Sequence, residues 1–160
     1  MSPGLEPFRH DMRLRGFADT TVNRNIGNTR RYLRWAEENN INPELGRRED
    51  LLDYLEELRA RGHRRSSLLA IFVSLGSWFE YLVESDKLPS NPIPAIQKRY
   101  LRSYKDEIRQ RQLISIEDAA KMVRATIDTR DRAILLVFFK TGIRRNELIT
   151  LDLEDLDLQR

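Results

Sequence analysis

Apolar side chains recur every three to four positions through residues 1–90, and this spacing limits what the chain can fold into. The clearest stripe would line one side of a helix: Leu68, Phe72, Leu75, Phe79 and Leu82. Glycine, proline and asparagine divide the pattern into four such blocks, and none of the blocks shows the alternation of a half-buried strand. The sequence therefore predicts an all-α fold in which residues 1–90 form a four-helix bundle.

Three prolines follow the fourth block: Pro89, Pro92 and Pro94. Each one interrupts a continuous helix and favours extended geometry in the residue before it. Residues 91–112 then contain six Lys or Arg and two Asp or Glu, a net charge of +4, whereas the whole chain carries only +3. We expect this segment to be a basic interdomain linker.

A second domain is expected over residues 113–160. Ser115 and Asp118 fit a capping box, Asp128 can cap a strongly apolar helix, and Gly142 can end that helix. The last ten residues alternate leucine with acidic residues and are typical of the approach to a strand. Because 48 residues are few for an independent core, we expect the N-terminal part of a longer protein, cut within an incomplete, mainly α second domain.

The residue types exclude several kinds of site. The chain has no cysteine, so disulfides, thiolate zinc sites and a cysteine nucleophile are ruled out. Its two histidines, His10 and His63, have no carboxylate cluster beside them, so no metal site is expected. The longest apolar run, Ala133 to Phe139, is too short to cross a bilayer, and the N-terminus shows no signal-peptide pattern. We therefore expect a cytoplasmic protein without a membrane partner.

One string is the main candidate for chemistry: Thr141-Gly-Ile-Arg-Arg-Asn-Glu-Leu148. Gly142 permits a left-handed exit from the preceding helix, which would hold Arg144 at the mouth of a turn. Glu147 can reach back to fix this guanidinium, whose planar fork suits a phosphodiester. The same spacing fits a helix C-cap followed by a salt-bridged surface arginine, and the pattern alone leaves both interpretations open.

That string resembles the opening of the catalytic domain of tyrosine recombinases, the phage-integrase and Xer family. Two further strings share the resemblance: Leu113-Ile-Ser-Ile-Glu-Asp118 and Arg130-Asp-Arg-Ala-Ile134. The upstream part resembles that family's helical, SAM-like core-binding domain, through Gly16-Phe-Ala-Asp-Thr-Thr-Val22, the Tyr32 and Trp35 pair, and Tyr81-Leu82 ahead of Asn91-Pro92. The resemblance covers nearly the whole chain, and Thr-Gly-Ile-Arg is its specific part.

The resemblance implies an enzyme that cleaves and rejoins DNA through a 3′-phosphotyrosyl intermediate, without a metal, nucleotide or other cofactor. Arg144 matches the family's first catalytic arginine, Glu147 supports it, and Arg145 contacts backbone or solvent. The family's nucleophile and remaining catalytic groups would lie downstream of Arg160, so this chain is expected to be inactive alone. Its own tyrosines all precede Arg144 and are interpreted as core or linker aromatics: Tyr32, Tyr54, Tyr81, Tyr100 and Tyr104.

Three groups of side chains are candidates for contacts to duplex DNA, each with a solvated polar surface as the alternative. They are Arg24, Asn28 and Arg31, which share the face of the second helix opposite its apolar stripe; Arg64, Arg65, Ser66 and Ser67 at the start of the fourth; and Lys98, Arg99, Arg102 and Lys105 in the linker. Arginine suits bidentate phosphate contacts, and a helix N-terminus favours anions. In the family's C-shaped clamp, the linker would follow the phosphate backbone.

The sequence therefore predicts the DNA-binding N-terminal portion of a site-specific tyrosine recombinase. The complete enzyme is expected to assemble as a tetramer on DNA, and the isolated chain to be a monomer. Two alternatives stay open: a stand-alone DNA-binding accessory protein at recombination sites, and a helical protein–protein interaction module. Salt-dependent binding to duplex DNA separates the last of these from the other two.

Overall fold

A computed structural model describes residues 5–102 and 113–155 of the 160-residue chain. Every regular element in these residues is helical, which confirms the predicted all-α fold. The chain divides into two compact units, Met1–Ile108 and Arg109–Arg160, each with its own internal packing.

Five helices form the described part of the first unit. They are α1 (Leu5–Leu14), α2 (Asp19–Glu38), α3 (Arg48–Ala60), α4 (Arg65–Glu84) and α5 (Ile93–Ile96), which continues as a π-helical turn over Gln97–Leu101. A short 3₁₀ turn, Pro43–Leu45, lies between α2 and α3. The four helices predicted for residues 1–90 correspond to α1 to α4, and the two 20-residue helices, α2 and α4, pack most extensively against each other.

An aromatic cluster lies in the core of this unit. The Tyr32 ring on α2 is fully buried, and its centroid lies 5.2 Å from that of Tyr54 and 6.1 Å from that of Trp78. Burial disfavours the phenolate form, so it raises the pKa of Tyr32 and raises the pKa of Tyr54 to about 12. Tyr81 and Tyr100 pack against the same core, so these four tyrosines are core aromatics as predicted.

Among the described helices, α4 is long and apolar enough to cross a membrane, judged by length and composition alone. Its apolar side chains instead fill the core of the bundle. The five residues of the stripe predicted from the sequence are at most 2% exposed. The apolar character of α4 is therefore that of a helix packed inside a bundle.

Residues 91–102 belong to the first unit, whereas the sequence placed them in a linker. α5 follows Pro92 directly, and its own proline lies in the first turn, where a missing N–H costs no helical hydrogen bond. Three side chains of α5 and the π-helical turn are at most 1% exposed and join the bundle core: Ile93, Ile96 and Leu101. The prolines therefore start a fifth helix, and the structural boundary lies beyond the predicted one at residue 90.

The described part of the second unit contains α6 (Ile116–Ala125), α7 (Thr129–Thr141), α8 (Arg145–Ile149) and a 3₁₀ turn over Leu153–Asp155. Side chains start two of these helices as predicted. The Ser115 Oγ accepts from the Asp118 N–H at 3.0 Å, and the Asp128 Oδ1 accepts from the Asp131 N–H at 3.1 Å. Gly142, with φ at 66°, ends α7 in the left-handed conformation that glycine adopts without strain.

Residues 151–155, the described start of the segment expected to approach a strand, form no strand. The Asp155 Oδ2 accepts from the Asp152 N–H at 2.9 Å, a local contact that favours a turn. The rest of that segment lies outside the described residues. No side chain described in this unit is fully buried, and Ile116 and Ile127 are 85% and 94% exposed. These helices therefore present apolar surface that a closed core would cover.

Candidate nucleic-acid interface

Basic side chains from two segments of the first unit meet around one groove. Its volume is about 510 Å³, and we call it the basic groove. Arg31 and Arg34 line it from α2, and Arg61 and His63 line it from the turn between α3 and α4. The rest of its lining is Trp35, Glu38, Tyr54, Leu58 and Ile71. Three guanidinium groups line the groove with one carboxylate, Glu38, and Arg61 is also paired with Glu57. The groove therefore keeps a net positive charge that attracts anions.

Hydrogen bonds position two of these arginines. Arg31 Nη1 donates to the Asn28 Oδ1 at 3.5 Å. Arg61 forms an ion pair with Glu57, which also accepts from the Trp35 indole N–H. The Arg31 and Arg61 side chains remain exposed, so their other N–H groups are open to a ligand.

The position predicted for Asn28, on an open face with Arg24 and Arg31, is wrong. Arg24 and Arg31 are exposed, but Asn28 is only 8% exposed, and its Nδ2 donates to the Ser74 Oγ on α4 at 2.9 Å. Ser74 in turn donates to the Asn25 Oδ1 at 2.9 Å. Because α2 packs against α1 and α4, its polar residues on the α4 side are enclosed.

The residues at the start of α4 play different structural roles. Arg64 occupies the N-cap position and is exposed, as are Ser66 and Ser67 in the first turn. Arg65 instead points to the end of the π-helical turn, where it donates to the carbonyls of Leu101 and Arg102. The predicted group of phosphate-binding residues is therefore not one surface: Arg64, Ser66 and Ser67 face solvent, whereas Arg65 binds backbone carbonyls of the protein itself.

The predicted linker cations lie on the surface of the first unit. Lys98, Arg99 and Arg102 are exposed on the π-helical turn and its C-cap. Arg99 also lies against the neighbouring Tyr100, with its guanidinium carbon 5.6 Å from the ring centroid. Tyr104 and Lys105 lie outside the described residues.

Arg144 and Glu147 form the local contact that their spacing predicts. Arg144 is the N-cap of α8; its backbone N–H donates to the Glu147 Oε2 at 2.9 Å, and its Nη1 donates to the Oε1 at 2.8 Å. These two bonds, the backbone one first, hold the pKa of Glu147 below its ordinary value. The Arg144 side chain is 85% exposed, so most of its donors face solvent. The contact is confirmed, and the catalytic role of Arg144 stays a prediction.

Arg34, Arg61 and His63 line the groove although none of them is a site residue predicted from the sequence. Arg34 lies three positions after Arg31, a spacing that places both on one side of a helix. No comparable signal marks the other two, because they reach the groove only once α3 packs beside α2. In the described part of the chain, no group of three or more histidine and acidic side chains is arranged to hold a metal ion.

Several known proteins are similar to this chain in sequence. A XerC tyrosine recombinase from Natranaerobius thermophilus is 33% identical over 110 residues, which cover 66% of this chain and 35% of the relative. A XerD tyrosine recombinase from Chlorobaculum tepidum is 27% identical over 156 residues, covering 92% and 50%. A XerD tyrosine recombinase from Listeria monocytogenes is 23% identical over an alignment of 166 positions, which covers 99% of this chain and 54% of the relative. These three relatives are tyrosine recombinases.

No family model matches the chain. The identities are modest, and the chain spans between about a third and a half of the length of these recombinases. The similarity therefore supports the tyrosine recombinase family for this chain.

Proposed function

We propose that this chain is the DNA-binding N-terminal portion of a site-specific tyrosine recombinase that acts in the cytoplasm. In this proposal the first unit is the core-binding domain, and the residues from 113 onward open the catalytic domain. The basic groove carries the proposal, since two separate segments bring their cations to one concave surface. The similarity to XerC and XerD recombinases supports the same assignment.

The groove suits a phosphate backbone better than a neutral ligand. Guanidinium groups pair with phosphate oxygens through two parallel hydrogen bonds, and Arg31 and Arg34 are close enough along α2 to contact neighbouring phosphates. Arg24 lies two turns before Arg31 on the same helix and is exposed, so it extends the basic surface along α2. Such contacts position a protein on duplex DNA and make its affinity depend on salt.

Arg144 is the proposed catalytic residue of this portion. Its guanidinium is held by Glu147 before any substrate arrives, so little reorganisation is needed when negative charge develops on a phosphate oxygen. The reaction proposed for the complete recombinase is attack of a tyrosine hydroxyl on the scissile phosphate, which releases a 5′-hydroxyl and forms a 3′-phosphotyrosyl bond. The proposed assembly of that complete enzyme is a tetramer on DNA, and strand cleavage is not proposed for these 160 residues alone.

Fluorescence anisotropy with a labelled duplex, measured across a series of salt concentrations, tests the DNA-binding role. Replacing Arg31 and Arg34 by Ala removes two groove cations, so we expect the slope of log K against log[salt] to become shallower by about 2. Arg30→Ala is the matched control, because Arg30 is an exposed arginine of the same helix that does not line the groove. It should change the slope much less.

Two outcomes would contradict the proposal. Equal effects of the groove and control variants would move the binding surface away from the groove. A chain that does not bind duplex DNA at low salt would favour the helical protein–protein interaction module instead.

A further inference from the structure

Residues 91–102, which contain α5 and the π-helical turn, form what we call the α5 segment. Arginines from α3 and α4 converge on its C-terminal end. Arg59 Nη2 donates to the Tyr100 carbonyl at 2.8 Å. Arg65 donates through Nε to the Leu101 carbonyl at 2.9 Å and through Nη2 to the Arg102 carbonyl at 2.7 Å. The last carbonyls of a helix have no partner within it and carry the negative end of its dipole, so guanidinium groups suit them well. We call Arg59 and Arg65 the arginine clamp.

Asn91 anchors the other end of the same segment. Its Nδ2 donates to the Gly76 carbonyl on α4 at 2.9 Å and to the Glu80 Oε2 at 2.8 Å, and its Oδ1 accepts from the Ile93 N–H at 3.0 Å. Ile93 packs closely over Gly76, where an added Cβ would lie 3.4 Å from the isoleucine Cγ2. Residues 91–102 are thus tied to the bundle at both ends and by buried side chains between them.

This attachment determines where three cations lie. Lys98, Arg99 and Arg102 are exposed, while Ile96 and Leu101 of the same segment are at most 1% exposed in the core. The inward side chains and the clamp fix the rotation of the segment, so the cations stay on its outer side. Cations held by a rigid element lose less conformational entropy on binding than cations in a free linker.

We propose that Arg59 and Arg65 are positioning residues that hold Lys98, Arg99 and Arg102 as a fixed part of the phosphate-binding surface. The hydrogen bonds of Arg59 and Arg65 define the clamp, and its role in DNA binding rests on the proposed function. In this view the phosphate contacts expected from a linker are made by the π-helical turn that follows α5 and by its C-cap, within the first unit. Loosening either end of the segment should weaken DNA binding without removing any of the three cations.

Hydrogen–deuterium exchange of the full chain tests the clamp without DNA. In the double variant Arg59→Ala, Arg65→Ala, amides of residues 97–102 should exchange roughly ten- to a hundredfold faster, as expected when hydrogen bonds from a charged group are lost. Amides in the middle of α2 should be unchanged, which also shows that the bundle is folded. Arg64→Ala is the control, because Arg64 is the exposed neighbour of Arg65. Unchanged exchange at residues 97–102 in the double variant would overturn the clamp.

A charge-neutral variant tests the positioning role. Asn91→Ala loosens the segment and leaves every cation in place, so it also serves if the double variant fails to fold. We expect weaker duplex binding and a slope of log K against log[salt] that is shallower by about 1 to 3. A change of about 3 is the limit, since that is the effect expected from replacing all three cations with Ala. Faster exchange at residues 91–102 with unchanged affinity and slope would overturn the positioning role.

The two proposals fail in different ways. If the unmodified chain does not bind duplex DNA, both the proposed function and the DNA role of the segment are overturned, while the exchange experiment still decides the clamp. If the chain binds DNA and Asn91→Ala alters only exchange, the proposed function is retained and the positioning role is overturned.

Discussion

Ser74 connects α2 and α4 through a buried hydrogen-bond network, and removing its hydroxyl should destabilise the first unit. The Ser74 Oγ accepts from the Asn28 Nδ2 at 2.9 Å, and its hydroxyl proton is within reach of both the Asn25 Oδ1 at 2.9 Å and the Ala70 carbonyl at 3.0 Å. Ser74 and the two asparagines are at most 8% exposed. Ser74→Ala leaves one amide N–H and one amide oxygen without this partner, away from water. At about 1–3 kcal/mol for each unsatisfied group, we expect a loss of about 2–6 kcal/mol in the free energy of unfolding.

Urea unfolding followed by tryptophan fluorescence measures this loss. The chain has two tryptophans, Trp35 and Trp78, and both lie in the core of the first unit, so the signal reports that unit. The control is Ser77→Ala on the same helix, since the Ser77 Oγ makes only a 3.3 Å contact to a backbone carbonyl near the surface. We expect a change within about 0.5 kcal/mol for the control. A Ser74→Ala variant as stable as the control would refute the reasoning.

Three further predictions concern other sites. Gly46→Ala should destabilise the first unit by about 1 kcal/mol more than Gly16→Ala in the same urea experiment. Both glycines have positive φ, but of the two only Gly46 has core side chains, at 3.1 and 3.2 Å, where an added Cβ would lie. Equal losses of stability would contradict this prediction. The folded-state pKa of Glu147 is lowered, so its contact with Arg144 should be complete above the ordinary glutamate range and lost as the pH falls through the folded-state value. In an NMR titration, Arg144→Ala should raise that pKa only part of the way, since the backbone N–H remains; no rise would exclude the side-chain contact. In a full-length recombinase containing this chain, Arg144→Ala should slow strand cleavage by roughly two to four orders of magnitude with little loss of DNA affinity, and Arg145→Ala should retain most cleavage; the reverse result would shift the catalytic assignment by one residue.

Helix positions and local contacts could be predicted from the sequence. The caps at Ser115 and Asp128, the end of α7 at Gly142, and the contact between Arg144 and Glu147 all occur as the spacing indicates. Each of these contacts joins residues no more than four positions apart. Their geometry therefore follows from the backbone of one turn, and the rest of the fold has little influence on it.

What lies on the surface was decided by the tertiary structure. Asn28 has the spacing of an exposed helix residue, yet it is buried because α4 places Ser74 beside it. Residues 91–102 have the proline and charge content of a linker, yet their isoleucines and leucine join the core, and three of their carbonyls accept from arginines of α3 and α4. The basic groove needs α2 and the turn after α3 together. The exposure of a side chain depends on which element packs against it, and packing partners distant in sequence leave no periodic signal in either segment.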